Sequence, residues 1–215
     1  MILGIETSCD DTSAAVYDGQ RLLSNVISTH LVHRNFGGVV PELASRAHIP
    51  LVMPVIRQAL DQAAISRRDL DAIAVTYGPG LAGSLLVGLS VAKGMSLGLD
   101  IPLVGVNHLE GHIWANALAH PDLQTPFVVL VVSGGHTSLF LVKNRFDRQV
   151  LAKTRDDAVG EVMDKVSKFF NLGYPGGPIL DQLSQKEKPG KFKFTSPKMS
   201  DGSLDFSFSI KTASR

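Results

Sequence analysis

The chain has 215 residues, of which 44% are hydrophobic and 19% charged, as is ordinary for a globular protein with one large or two modest domains. A formal net charge of +1 excludes a globally basic nucleic-acid binder, so any contact with nucleic acid must be local or shared with a partner. Cys9 is the only cysteine, which excludes an internal disulfide and favours a reducing compartment.

The N-terminus and the longest apolar stretch both argue against export and membrane insertion. Residues 1–6 lack the basic region of a signal peptide and already include the carboxylate of Glu6. The stretch from Leu85 to Leu99 is interrupted by Lys93 and by glycines, and it is too short to span a bilayer. The sequence therefore predicts a cytoplasmic protein.

Hydrophobic patterns in the first half of the chain predict an α/β domain. Pro50 and Pro54 indicate that its first long helix is kinked or built in pieces. Residues 30–41, with His33 and Arg34, are predicted to form a loop. In chain order, strands are expected at 2–8, 12–17, 21–28 and 71–77, and helices at 40–64 and 85–99.

A glycine-rich segment, Gly78 to Ser84, joins the fourth predicted strand to the second helix. Free amides and the helix dipole make such a junction a general anion site. The segment matches neither a P-loop nor a dinucleotide-binding motif, and a tight turn with close packing explains the glycines equally well. Both interpretations stay open on the sequence alone.

A histidine pair follows a predicted buried strand at 102–106, with Asn107 as the expected N-cap of the next helix. His108 and His112 are four residues apart, so they lie on one helix face at the spacing of a two-imidazole metal clamp. Glu110 lies two residues from each, unlike the glutamate of helical zinc proteases, which adjoins the first histidine. A catalytic metal normally needs three ligands, so a third must come from elsewhere. Two surface histidines at a helix start are the alternative.

The second half opens with a strand–turn–strand pattern that resembles the N-terminus of the chain. Strands are expected at 127–132, 137–142 and 149–154, and helices at 160–171 and through Asp181. The matching frame suggests two related hairpins, one at the start of each half of a duplicated fold. In actin-like proteins such turns hold nucleotide phosphates, which is an analogy of fold. The identities are Ser8, Thr12 and Ser13 with Ser133, Thr137 and Ser138.

Two later segments allow more than one interpretation. Asp164 and Asp181 are placed to receive hydroxyl groups, although plain helix solubility explains them as well. The segment Lys186–Lys198 holds five lysines, Phe192 and Phe194, which suits RNA phosphates and bases, but a solvated loop is the simpler interpretation. Residues 210–215 are expected to form the opening turn of a helix.

Seven motifs occur in order along the chain, at residues 4–10, 37–46, 78–81, 108–112, 133–137, 174–178 and 205–209. Together they resemble the TsaD/Kae1/Qri7 (Gcp) family, and the resemblance covers the whole chain. It implies an α/β, actin-like (ASKHA, ribonuclease H-like duplicated) fold with two lobes. Residues 1–120 would form the N-terminal lobe and residues 121–215 the first part of an incomplete second lobe.

The resemblance also implies an activity and its ligands. Such proteins transfer the threonylcarbamoyl group from threonylcarbamoyl-AMP to N6 of the adenosine 3′ of the anticodon, in tRNAs that read codons beginning with A. The implied cofactor is one divalent metal per subunit, iron in preference to zinc, and the nucleotide ligand is threonylcarbamoyl-AMP or ATP. The implied partners are tRNA and, in bacteria, a TsaB-like paralog bound through the N-terminal lobes and a TsaE-like ATPase.

The family roles carry over to matching positions of this sequence. The metal ligands would be His108 and His112. The phosphate and acyl part of the adenylate would contact Val131, Val132, Ser133, Gly134 and Gly135, and its nucleoside would contact Asp164, Gly177 and Asp181. Asp10, in the first hairpin turn, is the candidate for a polar catalytic group near the reacting centre.

The chain departs from the family pattern in three ways. Asp11 stands where glutamate is common, and Asn107 where a second histidine is frequent. Family members continue past Arg215, and the resemblance places their third metal ligand, an aspartate, and a further nucleotide-binding loop in that region. The 215-residue chain alone is therefore expected to bind metal and adenylate poorly and to be inactive.

Three other functions compete with this one. A metalloprotease of the glycoprotein endopeptidase type is disfavoured by the position of Glu110. A non-catalytic TsaB-like partner subunit would not need the histidine pair. An actin-like small-molecule kinase would use a carboxylate base and Mg²⁺ in place of imidazoles.

Overall fold

The computed structural model describes residues 1–30, 32, 36, 38–186, 199 and 201–208. The expected loop contacts of His33 and Arg34, nearly all of the lysine-rich segment and the helical turn at 210–215 lie outside the described residues. The chain divides into two compact units, Met1–Pro121 and Asp122–Arg215.

The first unit is built on a five-stranded sheet with the order β3-β2-β1-β4-β5. The first three strands are antiparallel, whereas β1, β4 and β5 run parallel to one another. The strands are β1 (Ile2–Glu6), β2 (Asp11–Tyr17), β3 (Leu22–Thr29), β4 (Ala72–Gly78) and β5 (Leu103–Asn107). The helices are α1 (Pro41–Gln62), α2 (Ala82–Leu99) and α3 (His108–Ala119).

The core of this unit follows from alternation along the central strands. Leu3 and Ile5 of β1 are buried beside Ile73 and Val75 of β4, because residues two apart share one face of a sheet. Helices α1 and α2 pack against each other and against this sheet. Both helices begin close to the edge of the sheet at which β1 and β4 end.

Helix α1 continues through Pro50 and Pro54 as one element, so the predicted alternative of separate pieces is wrong. Each proline removes one backbone hydrogen bond. Burial of Val52, Val55 and Ile56 against the sheet stabilises the helix across the two prolines.

Helix α2 is longer than predicted and, by length and composition alone, it is apolar enough to cross a membrane. Its inner face is nevertheless built into the first unit. Ser84 and Ala92 are fully buried, and the Thr7 hydroxyl donates a hydrogen bond to the Ser84 carbonyl over 2.9 Å.

Strand β5 lies at the edge of the sheet, so the prediction of a buried strand is wrong. Val104 is 50% exposed, and no residue of β5 is fully buried. A continuous apolar run has the same appearance in a central and in an edge strand, so the sequence could not separate them.

The second unit contains an antiparallel meander of three strands, ordered β6-β7-β8. Two helices that pack against each other follow the sheet. The elements are β6 (Phe127–Val132), β7 (Thr137–Val142), β8 (Arg148–Lys153), α4 (Val159–Phe169) and α5 (Gly176–Ser184). Gly176 and Gly177 lie in the first turn of α5, so the motif at 174–178 is partly helical.

Candidate metal centre

The two histidines lie in the first turns of α3, with their rings turned toward each other. Nε2 of His108 is 3.1 Å from Nε2 of His112, and the ring planes are inclined by 82°. The Asn107 side chain caps the helix, accepting hydrogen bonds from the amides of Leu109 at 2.9 Å and Glu110 at 3.4 Å. The predicted N-cap is therefore confirmed, and the helix start fixes the direction of both rings.

The two imidazoles fit a shared metal ion. Imidazole nitrogens bind zinc at about 2.0–2.1 Å, so two nitrogens 3.1 Å apart can both reach one ion between them. Within the described part of the chain, no group of three or more histidine, cysteine, aspartate or glutamate side chains gathers at one point. The pair supplies two ligands, and the third ligand stays a prediction.

Replacing Asn107 tests how far its side chain stabilises the start of the helix that carries both histidines. Asn107→Ala is expected to lower the free energy of unfolding by about 0.5–2 kcal/mol, because two amides of the first turn lose their acceptor. Asn107→Ser should retain most of the stability, since a hydroxyl also caps. Urea denaturation of the three proteins measures the difference, and equal losses for both substitutions would contradict the capping role.

Glu6, at the end of β1, joins the histidine helix to the sheet. Its Oε2 lies 3.1 Å from His108 Nδ1 and accepts a 2.6 Å hydrogen bond from the Thr76 hydroxyl of β4. Oε1 accepts a 2.5 Å hydrogen bond from the Ser8 amide. Burial raises the pKa of Glu6, but the hydrogen bonds from His108, Thr76 and Ser8 outweigh it and bring the pKa down to about 2. The carboxylate is therefore ionised beside the metal centre.

A buried pair of histidines is hydrogen-bonded to the turn that carries Asp10. His48 Nε2 donates to the Cys9 carbonyl at 3.0 Å, so its Nδ1 accepts from the Thr12 hydroxyl at 2.7 Å. That hydroxyl oxygen lies 2.9 Å from His30 Nε2, while the His30 amide donates to the Asp10 carbonyl at 3.0 Å. Burial lowers the pKa of His48, which suits this neutral arrangement. The network fixes the backbone on both sides of the candidate catalytic residue.

The thiol of Cys9 is expected to react slowly. Burial, with the charges of Asp10 and Asp11, raises the pKa of its thiol to about 12. Because only the thiolate is alkylated, iodoacetamide at pH 8 should modify the folded chain on the order of a thousandfold more slowly than a free thiol. The same reaction in concentrated urea should be fast. Alkylation of the folded chain at the rate of a free cysteine would contradict the burial of this thiol.

The glycine-rich segment before α2 is used for close packing. A Cβ on Gly80 would lie 2.6 Å from the Ser8 carbonyl oxygen, and one on Gly83 would lie 2.5 Å from the Ser45 hydroxyl. The Leu81 amide donates to that same Ser8 carbonyl at 2.8 Å. The structure thus supports the packing interpretation of these glycines, because the segment holds the first hairpin turn against the start of α2.

The turn between β6 and β7 makes a matching arrangement in the second unit. The Ser133 hydroxyl accepts hydrogen bonds from the amides of His136 at 3.0 Å and Gly135 at 3.3 Å. The space where Gly134 and Gly135 would carry a Cβ is open, whereas a Cβ on Gly160 would lie 2.7 Å from the Ser133 carbonyl oxygen. Each hairpin turn is thus held against the start of a helix by a close glycine contact, and the relation between the two hairpins stays a prediction.

The remaining predicted adenylate residues lie on three elements of the second unit. Val131 and Val132 end β6, and Gly177 is in the first turn of α5. The Asp164 carboxylate of α4 accepts a 2.6 Å hydrogen bond from the Gly176 amide, so it holds the start of α5. Asp181 accepts a 3.1 Å hydrogen bond from the Gln185 side chain. Their roles toward a nucleoside stay predictions.

Comparison with known proteins identifies the family. The model of the TsaD family, described as tRNA N6-adenosine threonylcarbamoyltransferase, matches residues 21–215. A relative of that name from Thermosipho africanus (strain TCF52B) is 53% identical over 215 residues, 99% of this chain and 65% of the relative. Another from Clostridioides difficile (strain 630) is 54% identical over 209 residues, 96% of this chain and 62% of the relative. The chain thus spans less than two thirds of the length of these relatives.

A solved structure supports the fold. The ROK hexokinase from Thermus thermophilus has a TM-score of 0.51 with this chain, at 17% sequence identity, over 87% of this chain and 70% of the hexokinase. This likeness confirms the predicted α/β, actin-like fold and concerns the fold alone. The family match and the two relatives confirm what the seven motifs indicated. The chain belongs to the TsaD family of tRNA N6-adenosine threonylcarbamoyltransferases.

Proposed function

We propose that this chain carries the metal-binding and acyl-nucleotide-binding parts of a tRNA threonylcarbamoyltransferase. In the reaction, N6 of the adenosine 3′ of the anticodon attacks the carbonyl carbon of threonylcarbamoyl-AMP. A C–N bond forms, the C–O bond to the phosphate breaks, AMP leaves, and N6 loses one proton. The substrates are tRNAs that read codons beginning with A.

The convergence of His108 Nε2 and His112 Nε2, 3.1 Å apart in a TsaD-family chain, is the observation that carries this proposal. When bound, a divalent metal, iron in preference to zinc, supplies Lewis-acid polarisation of the phosphate and acyl oxygens. The two histidines would hold it through their Nε2 atoms. Most of the remaining catalytic task is positioning, because adenosine N6 is a poor nucleophile that must be aligned with the carbonyl carbon.

The turn from Ser133 to His136 is the proposed cradle for the phosphate and acyl groups. Open space beside Gly134 and Gly135 leaves room for a phosphate to approach the backbone, and turns of this kind bind anions through their amides. Asp164, Gly177 and Asp181 are the proposed contacts of the nucleoside. Asp10 is the proposed polar group near the reacting atoms, on the turn fixed by the buried histidine pair.

The groove between α1 and α2 is the proposed contact surface for a TsaB-like paralog. It has a volume of about 720 Å³ and a lining of both apolar and charged side chains, as expected of a groove that binds an amphipathic partner helix. The apolar part of the lining includes Met53, Ile56, Leu60, Val91, Met95 and Leu99. A TsaE-like ATPase and tRNA complete the proposed bacterial assembly, which would act in the cytoplasm.

The test is transfer of labelled threonylcarbamoyl from threonylcarbamoyl-AMP to tRNA. The protein assayed is this chain joined to the C-terminal segment of the Thermosipho africanus relative, with the paralog and the ATPase added. We expect the label on N6 of the adenosine, and none on a tRNA with guanosine at that position. Metal-loaded protein that leaves tRNA unlabelled, or that cleaves a glycoprotein in a chelator-sensitive way, would contradict the proposal.

A further inference from the structure

Glu6 contacts His108 at the ring nitrogen that faces away from His112. The His108 ring presents Nε2 to His112 and Nδ1 to the Glu6 carboxylate, at 3.1 Å in each case. The other contact of that carboxylate oxygen, the Thr76 hydroxyl at 2.6 Å, comes from the neighbouring parallel strand β4. Glu6 is therefore held by the sheet, while the histidine it touches belongs to a helix.

Two described neighbours of Nδ1 indicate which nitrogen of His108 carries the proton. Ser8 Oγ also lies 3.1 Å from Nδ1, and a hydroxyl can either donate or accept. Glu6 Oε2 already accepts the hydrogen bond of the Thr76 hydroxyl, so it faces Nδ1 as an acceptor. A proton on Nδ1 gives Oε2 a donor and is compatible with the Ser8 hydroxyl, which can accept, whereas a proton on Nε2 would set two lone pairs, of Nδ1 and Oε2, against each other.

We propose that Glu6 is the positioning residue of the metal centre, holding His108 as the Nδ1–H tautomer with the Nε2 lone pair directed toward the ion. The proposal that Glu6 positions His108 rests on the metal site of the proposed function. A carboxylate behind a ligating imidazole fixes the ring orientation and raises the basicity of the ligating nitrogen. Glu6 itself does not bind the ion, because its contact with the ring is at the other nitrogen.

The tautomer can be measured without metal. Nitrogen-15 NMR of the metal-free chain, labelled at histidine, is expected to show His108 protonated at Nδ1. In Glu6→Ala, in which the acceptor is lost, the signal should move to a mixture of tautomers. A wild-type His108 protonated at Nε2, or an unchanged His108 signal in Glu6→Ala, would overturn the proposal, whatever the activity of the protein.

Metal affinity gives the second readout, with zinc competed against a coloured chelator and every protein joined to the C-terminal segment of the Thermosipho africanus relative, which is expected to supply the third ligand. Glu6→Ala is expected to bind zinc about 10- to 100-fold more weakly, the usual loss for a partner behind a ligand. Glu6→Gln should lie between wild type and Glu6→Ala, since its amide oxygen still accepts from Nδ1 but the charge is gone. A merely structural role for Glu6 would not produce this rescue.

Glu110→Gln is the matched control for charge alone, because it removes a carboxylate from the same turn as the two histidines. Its zinc affinity is expected to fall much less than that of Glu6→Gln, and equal losses would overturn the proposal. Thermal unfolding of each variant checks that the fold is intact. If the wild type binds no zinc while the NMR result holds, the metal site of the proposed function fails and the hydrogen bond from His108 to Glu6 stands.

Discussion

Replacement of either histidine of the pair by alanine is expected to weaken zinc or iron binding by more than about 100-fold. Loss of a hydrogen-bond partner behind a metal ligand already lowers metal affinity about 10- to 100-fold. Loss of one of the two direct ligands should therefore lower the affinity by more than that. Nε2 of the remaining histidine then has no second nitrogen 3.1 Å away with which to share the ion. Competition with a coloured chelator measures the affinity for both His108→Ala and His112→Ala, in the chain joined to the C-terminal segment of the Thermosipho africanus relative.

His120→Ala is the matched control, because His120 ends the same helix at its exposed C-cap. It is expected to retain the wild-type affinity. Losses of equal size in all three variants would show that the metal binds to scattered surface histidines. If His108→Ala and His112→Ala each leave the metal affinity unchanged, the metal does not bind to this helix.

Gly88→Ala is expected to destabilise the first unit by about 1–3 kcal/mol, the usual cost of overpacking. The added Cβ would lie 2.3 Å from the Thr7 hydroxyl oxygen. Thr7 cannot rotate away at low cost, because it is 1% exposed and its hydroxyl donates to the Ser84 carbonyl. Urea denaturation measures the change in the free energy of unfolding.

Gly94→Ala, in the same helix, provides the matched comparison. The space where its Cβ would lie is open, so alanine should stabilise the chain by about 0.5–1 kcal/mol through its higher helix propensity. Opposite signs for the two substitutions are therefore expected. Stabilisation by both would mean that α2 does not pack against Thr7 as described.

Much of the fold follows from local patterns in the sequence. Hydrophobic patterns predicted the strands of both hairpins, and the cap at Asn107 predicted the start of α3, because these signals come from neighbouring residues. The exposed edge at β5 and the unbroken course of α1 depend on neighbours distant in sequence. No local pattern could supply them.

The candidate site likewise combines features that local patterns predict with contacts between residues distant in sequence. The spacing of His108 and His112 is a helical repeat, so the convergence of their rings was predictable. Glu6, Thr76 and His108 meet only because β1 pairs in parallel with β4 and β4 with β5. The buried pair of His30 and His48 likewise joins a strand end to a long helix. An unexpected carboxylate at the end of an apolar strand was the one available signal for Glu6.

The most direct test of the metal centre is anomalous diffraction at the metal absorption edge, from crystals of the zinc- or iron-loaded protein. A single peak is expected within about 2.1 Å of Nε2 of both His108 and His112. A peak at any other group of side chains, or rings of His108 and His112 that point away from each other with no ion between them, would contradict the account.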